Sequence, residues 1–318
     1  MRRIASYLIG LLSGFLMLMS SAGAAPSSAG LQLEEGFAPT QDLTVWPLQI
    51  VQGYPLLRAQ VGQVQGVLML DTGTPWGLLL NSARLPMPER SFVLRASAGS
   101  GQAFDVYRAS TMPALSIHGQ TWTQIKGVHT ADLAFIEQGT AIGTFLGFVG
   151  ANFLKDAALT LDYARRVALI TRLAPDSGAP LAEPPADLRP AAALAVLHYR
   201  ATQASFPVFD ATLGGLPVRV MLDTGNPGAA LDSAWLAELK QAGAATGFST
   251  LEAGRTYRLP PLQLGSFSVP VEDATGYATP VTLDGQIDRQ LLKIGYSLLK
   301  RVGVVWNYRL QTMTFFTP

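Results

Sequence analysis

The chain has 318 residues, 48% hydrophobic and only 14% charged, which is ample material for a core and little for a disordered tail. Lys plus Arg (23) nearly balances Asp plus Glu (22), so no basic or acidic face points to nucleic acid or a charged membrane surface. Cysteine is absent, which excludes disulfides, thiolate metal sites and a cysteine nucleophile.

At the N-terminus, Arg2 and Arg3 precede an apolar stretch from Ile4 to Met19 and the small residues Ser20-Ser21-Ala22-Gly23-Ala24. That order is expected of a signal peptide, residues 1–24, cleaved after Ala24. The apolar run is shorter than the roughly 20 residues a membrane span prefers. The expected product is periplasmic or secreted, with no membrane attachment after cleavage. Residues 25–39 read as a flexible N-terminal segment.

From residue 40 the pattern is mostly strand. Leu56 to Val61 ends at Gly62 and leads into Val67-Leu68-Met69-Leu70, followed by Asp71-Thr72-Gly73. Phe92-Val93-Leu94 and Phe104-Asp105-Val106-Tyr107 flank Ala98-Gly99-Ser100-Gly101, a hairpin with a glycine-rich tip. A short helix is expected from Asn152 to Lys155, before a closing strand. Then comes a proline-rich stretch, 174–193, containing Pro175, Pro180, Pro184, Pro185 and Pro190, which reads as an extended linker. Beyond it Val208 to Leu213, Gly214-Gly215 and Val220-Met221-Leu222 lead into Asp223-Thr224-Gly225. A helix is expected over Asp232 to Gln241, with Asp232 as its cap. A second hairpin tip falls at Ala253-Gly254, and a last short helix at Ser297 to Arg301.

These elements repeat. Tyr54 through Gly73 pairs without a gap onto Phe206 through Gly225, at an offset of 152 (223 minus 71). Val149-Gly150-Ala151-Asn152-Phe153-Leu154-Lys155 pairs with Ile294-Gly295-Tyr296-Ser297-Leu298-Leu299-Lys300, and Leu159–Tyr163 with Val304–Tyr308, at an offset of 145 (304 minus 159). The second copy is therefore seven residues shorter in between (152 minus 145). Two matches in the same order imply a duplication, with lobes at 40–173 and 194–318.

A carboxylate at the same place in both copies suggests one site built by two halves. Two facing carboxyls can share a proton and hold a water, the minimum for acid–base hydrolysis of an amide. Gly73 and Gly225 permit tight turns whose N–H groups can hold the carboxylate oxygens. Other candidates are weaker. His118, His129 and His198 show no metal-ligand spacing and read as turn or surface residues. Trp76 could line a cleft or belong to the core. No metal or cofactor is expected.

Strand–Asp-Thr-Gly, a hairpin, then two hydrophobic residues and Gly before a short helix resembles the aspartic protease family. The lobes resemble its retropepsin-like branch, and their tandem arrangement resembles pepsin. The resemblance covers Leu43 to Phe316. It implies an all-β fold of two homologous acid-protease-type β-barrel lobes with a few short helices, related by a pseudo-twofold axis. It further implies that Asp71 and Asp223 are catalytic, supported by Thr72, Gly73, Thr74, Thr224, Gly225 and Asn226. Thr72 and Thr224 would lock the loops together. Gly99, Ser100, Gly101, Ala253 and Gly254 would form flaps over a polypeptide bound in extended form. Phe148-Val149-Gly150 and Lys293-Ile294-Gly295 would pack behind the loops, although Lys293 departs from the usual apolar residue. Asn226, Pro75 and Pro227 also depart from the family pattern. The expected activity is that of an endopeptidase acting as a monomer. The alternative is an extracytoplasmic protein that binds a peptide or envelope ligand without cutting it.

Overall fold

The computed structural model describes residues 34–98, 101–201, 206–251, 254–277, 282–283 and 286–318. The expected signal peptide, residues 25–33 of the flexible segment, and the tip residues Gly99, Ser100 and Ala253 lie outside them.

The chain is mostly strand and forms two lobes. In the first, the strand Val64–Asp71 lies between Tyr54–Val61, antiparallel, and Phe145–Gly150, parallel. Phe145–Gly150 pairs antiparallel with Leu78–Asn81, which runs parallel to Lys126–Ala131. The second lobe repeats this scheme. Leu216–Leu222 lies between Pro207–Leu213 and Leu291–Ile294, Leu291–Ile294 pairs with Ala229–Asp232, and that strand runs parallel to Phe267–Tyr277. The strand that carries each Asp-Thr-Gly is thus central in its sheet. Such a strand is buried on both faces, which is why Leu68, Met69 and Leu70, like Val220, Met221 and Leu222, are a continuous apolar run.

A six-stranded sheet joins the lobes, three strands from each. At its centre Ala157–Asp162 pairs antiparallel with Gly303–Asn307, Leu159 opposite Trp306 and Leu161 opposite Val304. The offset of 145 maps Leu159 onto Val304 and Leu161 onto Trp306. Each strand therefore meets its own equivalent as two subunits do across a twofold axis. Leu70, Leu159, Leu222 and Val304 belong to one hydrophobic cluster that crosses both halves.

Several local expectations shift by a residue or two. The first short helix is a 3-10 turn at Ala151–Leu154, and the last is Tyr296–Leu299. Helix Ser233–Gln241 starts where expected, with Asp232 Oδ1 accepting from Ala234 N and Trp235 N at 2.9 and 3.1 Å. The proline-rich stretch is pinned at its start, where Ala174 N donates to Ala179 O (2.8 Å) and Asn307 Nδ2 to Gly178 O (2.9 Å). The flexible reading of 25–39 fails from Glu34 onward. Phe37 is buried against Trp122 and Phe153, and Glu35 and Lys126 exchange main-chain hydrogen bonds of 3.1 and 3.0 Å.

Candidate active site

Asp71 ends its strand opposite Gly150, and Asp223 follows the equivalent strand, its N–H donating to Ile294 O at 2.9 Å. Two turns then meet face to face. Thr72 N donates to Thr224 Oγ1 (2.9 Å) and Thr224 N to Thr72 Oγ1 (3.1 Å). Each hydroxyl donates in turn to the strand of the other lobe, Thr72 Oγ1 to Leu222 O (3.1 Å) and Thr224 Oγ1 to Leu70 O (2.6 Å). These four bonds form a reciprocal lock between the lobes, joining residues 150 to 154 apart in sequence. All four groups are buried, so breaking any one leaves an unpaired polar atom away from water.

The lock brings the carboxyls together. Gly73 N donates to Asp71 Oδ1 (2.8 Å) and Gly225 N to Asp223 Oδ1 (2.9 Å). A Cβ on Gly73 would stand 2.5 Å from Asp223 Oδ1, and one on Gly225 would stand 2.6 Å from Asp71 Oδ1. Glycine is required at both positions by this close approach, because neither has a positive φ. Asp71 and Asp223 are each 0% exposed, and their side chains hydrogen-bond to each other. Burial, and next the Asp223 charge, hold the Asp71 carboxyl well above the usual carboxylate range. Hydrogen bonds from Thr74 and Gly73 oppose that rise without cancelling it. So placed, the Asp71 carboxyl is favoured in its protonated form.

The residue after each Gly behaves differently in the two lobes. Thr74 Oγ1 donates to Asp71 Oδ2 at 2.7 Å. Asn226 turns instead to its own loop, its Oδ1 accepting from Gly228 N (3.1 Å) and its Nδ2 donating to Lys293 O (3.4 Å). Behind the loops the two glycines of the hydrophobic blocks leave no room for a side chain. A Cβ on Gly150 would lie 2.2 Å from Trp76 O, and one on Gly295 would lie 2.0 Å from Asn226 O and 2.2 Å from Asp223 O.

Several residues near the pair carry no signal in the Asp-Thr-Gly motif. Lys293 is buried in register with Met221 and Ala230, where the first lobe has Phe148. Burial holds its ammonium below its ordinary range, and the nearby Asp223 and Asp71 carboxyls oppose that effect. Tyr54, Tyr163 and Tyr308 have phenols pushed up first by burial and then by neighbouring charge that includes Asp71. Tyr163 and Tyr308 are equivalents at the offset of 145 (308 minus 163), so the duplication could have marked them.

Trp76 is fully buried and stacks on His129 with centroids 4.7 Å apart. His129 is in a strand interior rather than a turn or surface, which corrects the sequence expectation; its Nδ1 faces Glu34 Oε1 at 2.7 Å. His118 does occupy a turn and His198 is exposed. Of the hairpin-tip residues, Gly101 has φ +90° and donates to Ala98 O (2.8 Å), while Gly254 opens the strand Gly254–Leu264. Among the described residues, no three His, Asp or Glu side chains group to hold a metal ion.

No protein-family model matches the chain, and no curated protein matches it. Among solved structures it is similar to basic 7S globulin from soybean, with 12% identity and a TM-score of 0.50. The match covers 87% of this chain and 95% of that one. Identity that low speaks to fold alone, and the fold it supports is pepsin-like.

Proposed function

We propose that this chain is an exported aspartic-type endopeptidase that hydrolyses peptide bonds with a water activated between Asp71 and Asp223. The single observation that carries the reading is the reciprocal Thr72–Thr224 lock, which sets the two buried carboxyls in hydrogen-bond contact. A retained proton gives the pair both roles the reaction needs. The ionised carboxyl takes a proton from water as general base, and the protonated one polarises the scissile carbonyl. The same pair then returns a proton to the leaving nitrogen, and no covalent enzyme intermediate forms. Extended peptide would bind by strand-like main-chain hydrogen bonds beneath the hairpins Arg90–Ser97/Ala103–Thr111 and Thr246–Leu251/Gly254–Leu264. Export rests on the sequence of residues 1–24.

One observation favours a second reading, a peptide- or envelope-binding protein that does not cut. Asn226 is engaged with Gly228 and Lys293, whereas its counterpart Thr74 is engaged with Asp71. Pepstatin binding together with peptide cleavage that Asp71→Asn abolishes supports the peptidase. Pepstatin or peptide binding with no cleavage at any pH supports the second reading.

A further inference from the structure

The first active loop is one residue longer than the second. Ala151 N donates to Thr74 O (2.8 Å) as Tyr296 N does to Asn226 O (2.9 Å), an offset of 152 for the acceptors (226 minus 74). Gly150 N donates to Gly77 O (3.0 Å) as Gly295 N does to Gly228 O (3.2 Å), an offset of 151 (228 minus 77). Both loops have proline next to Thr74 or Asn226, so the extra residue is Trp76.

In the shorter loop Asn226 Oδ1 satisfies the N–H of Gly228. In the longer loop the equivalent N–H, that of Gly77, donates to Glu34 Oε2 at 2.9 Å, from a segment 43 residues away. The other oxygen of Glu34 faces His129 Nδ1 at 2.7 Å, both side chains being about 1% exposed. His129 Nε2 is buried with no hydrogen-bond partner, so Glu34 is the polar contact that orients the ring. The ring's face carries Trp76.

We propose that Glu34 is a positioning residue for Asp71. By taking over in the first lobe the task Asn226 performs in the second, it frees the position-74 side chain to hold the Asp71 carboxyl. His129 orients Glu34, and the Trp76–His129 stack accommodates the inserted residue. The inequality of Thr74 and Asn226 is then a division of labour. One loop supports itself, and the other is supported from the N-terminal segment so that its hydroxyl can reach Asp71 Oδ2. The geometry stands by itself, while the catalytic consequence rests on the peptidase reading.

A double-mutant cycle between Glu34→Ala and Thr74→Ala in the full chain, read by thermal unfolding, tests the inference. Thr74→Ala lowers the melting temperature of the otherwise native chain, and in the Glu34→Ala background that drop shrinks to less than about half, because the hydroxyl is no longer held on Asp71. An equal drop in both backgrounds overturns the proposal. Peptide cleavage gives the second readout. Glu34→Ala lowers kcat about tenfold or more with KM changed less than about twofold, and adding Thr74→Ala lowers it no further. Glu34→Gln, which keeps an acceptor for Gly77 N, retains most of the rate; a loss equal to that of Glu34→Ala contradicts the account. If Glu34→Ala does not fold, His129→Phe replaces it, since it keeps a ring on Trp76 but releases Glu34, and an undiminished Thr74→Ala drop there overturns the proposal. A native chain that cleaves nothing removes the peptidase reading and leaves the unfolding cycle to decide.

Discussion

Asp71 has opposite consequences for activity and for stability. On the peptidase reading proposed above, Asp71 is half of an acid–base pair, and its replacement by Asn lowers kcat by about 10² to 10⁴-fold. Stability moves the other way at neutral pH. The Asp71 carboxyl sits well above its unfolded value of about 3.9, so the folded chain keeps a proton that the unfolded chain has released. Its contribution is complete below about pH 4 and is lost as pH rises through the folded value. Asp71→Asn, neutral at every pH, therefore raises the urea midpoint at pH 7 and leaves it near that of the parent below pH 4. A midpoint unchanged at pH 7 contradicts the buried, proton-retaining pair. Lys293 gives a second test. Its ammonium favours the ionised form of the dyad, so Lys293→Met shifts the alkaline limb of the kcat/KM profile to higher pH. A limb that stays in place shows that Lys293 does not act on the pair.

Among the elements, the two hydrophobic blocks are the parts whose glycines the structure explains most directly. A methyl on Gly295 would collide with main-chain oxygens of both Asn226 and Asp223, backbone atoms that cannot swing aside. Gly295→Ala therefore destabilises the chain by about 1–3 kcal/mol and displaces the Asp223 loop, seen as lost pepstatin binding in a folded protein. Asp232→Ala, which removes only a helix cap remote from the lock, costs about 1 kcal/mol and leaves pepstatin binding intact. Much of this level was legible in the sequence. Strand, Asp-Thr-Gly, hairpin, hydrophobic block and short helix occur twice in one order, and the Asp232 cap was visible as a short polar residue before an apolar-periodic run. What the chain concealed depends on contacts far apart in sequence. Glu34 and His129 are 95 residues apart, and nothing around either one signals a partner. The alignment also left the seven missing residues unplaced between two gapless blocks. One of them is Trp76, and only the hydrogen bonds of Gly77 and Gly228 locate it. Helix Ala134–Gly139 escaped because it is short, has no side-chain cap on Leu133, and buries Ile136 alone.

For the whole molecule, the six-stranded sheet and the cluster that crosses it make the halves interdependent. Ala157–Asp162 and Gly303–Asn307 would each present an unpaired edge if the lobes were separated. The single chain already contains both halves of its pseudo-twofold, so sedimentation should find a monomer that unfolds in one cooperative transition. A dimer, or two transitions, would show that the lobes are not joined as the sheet implies. On the peptidase reading, the lock sets two carboxyls on one water. Digestion of a peptide library by the purified chain from acidic to neutral pH, beside the Asp71→Asn/Asp223→Asn double variant, tests it most directly. The native chain is expected to cleave, and the double variant to lose that cleavage. Cleavage that survives in the double variant, or none by the native chain at any pH, contradicts that reading.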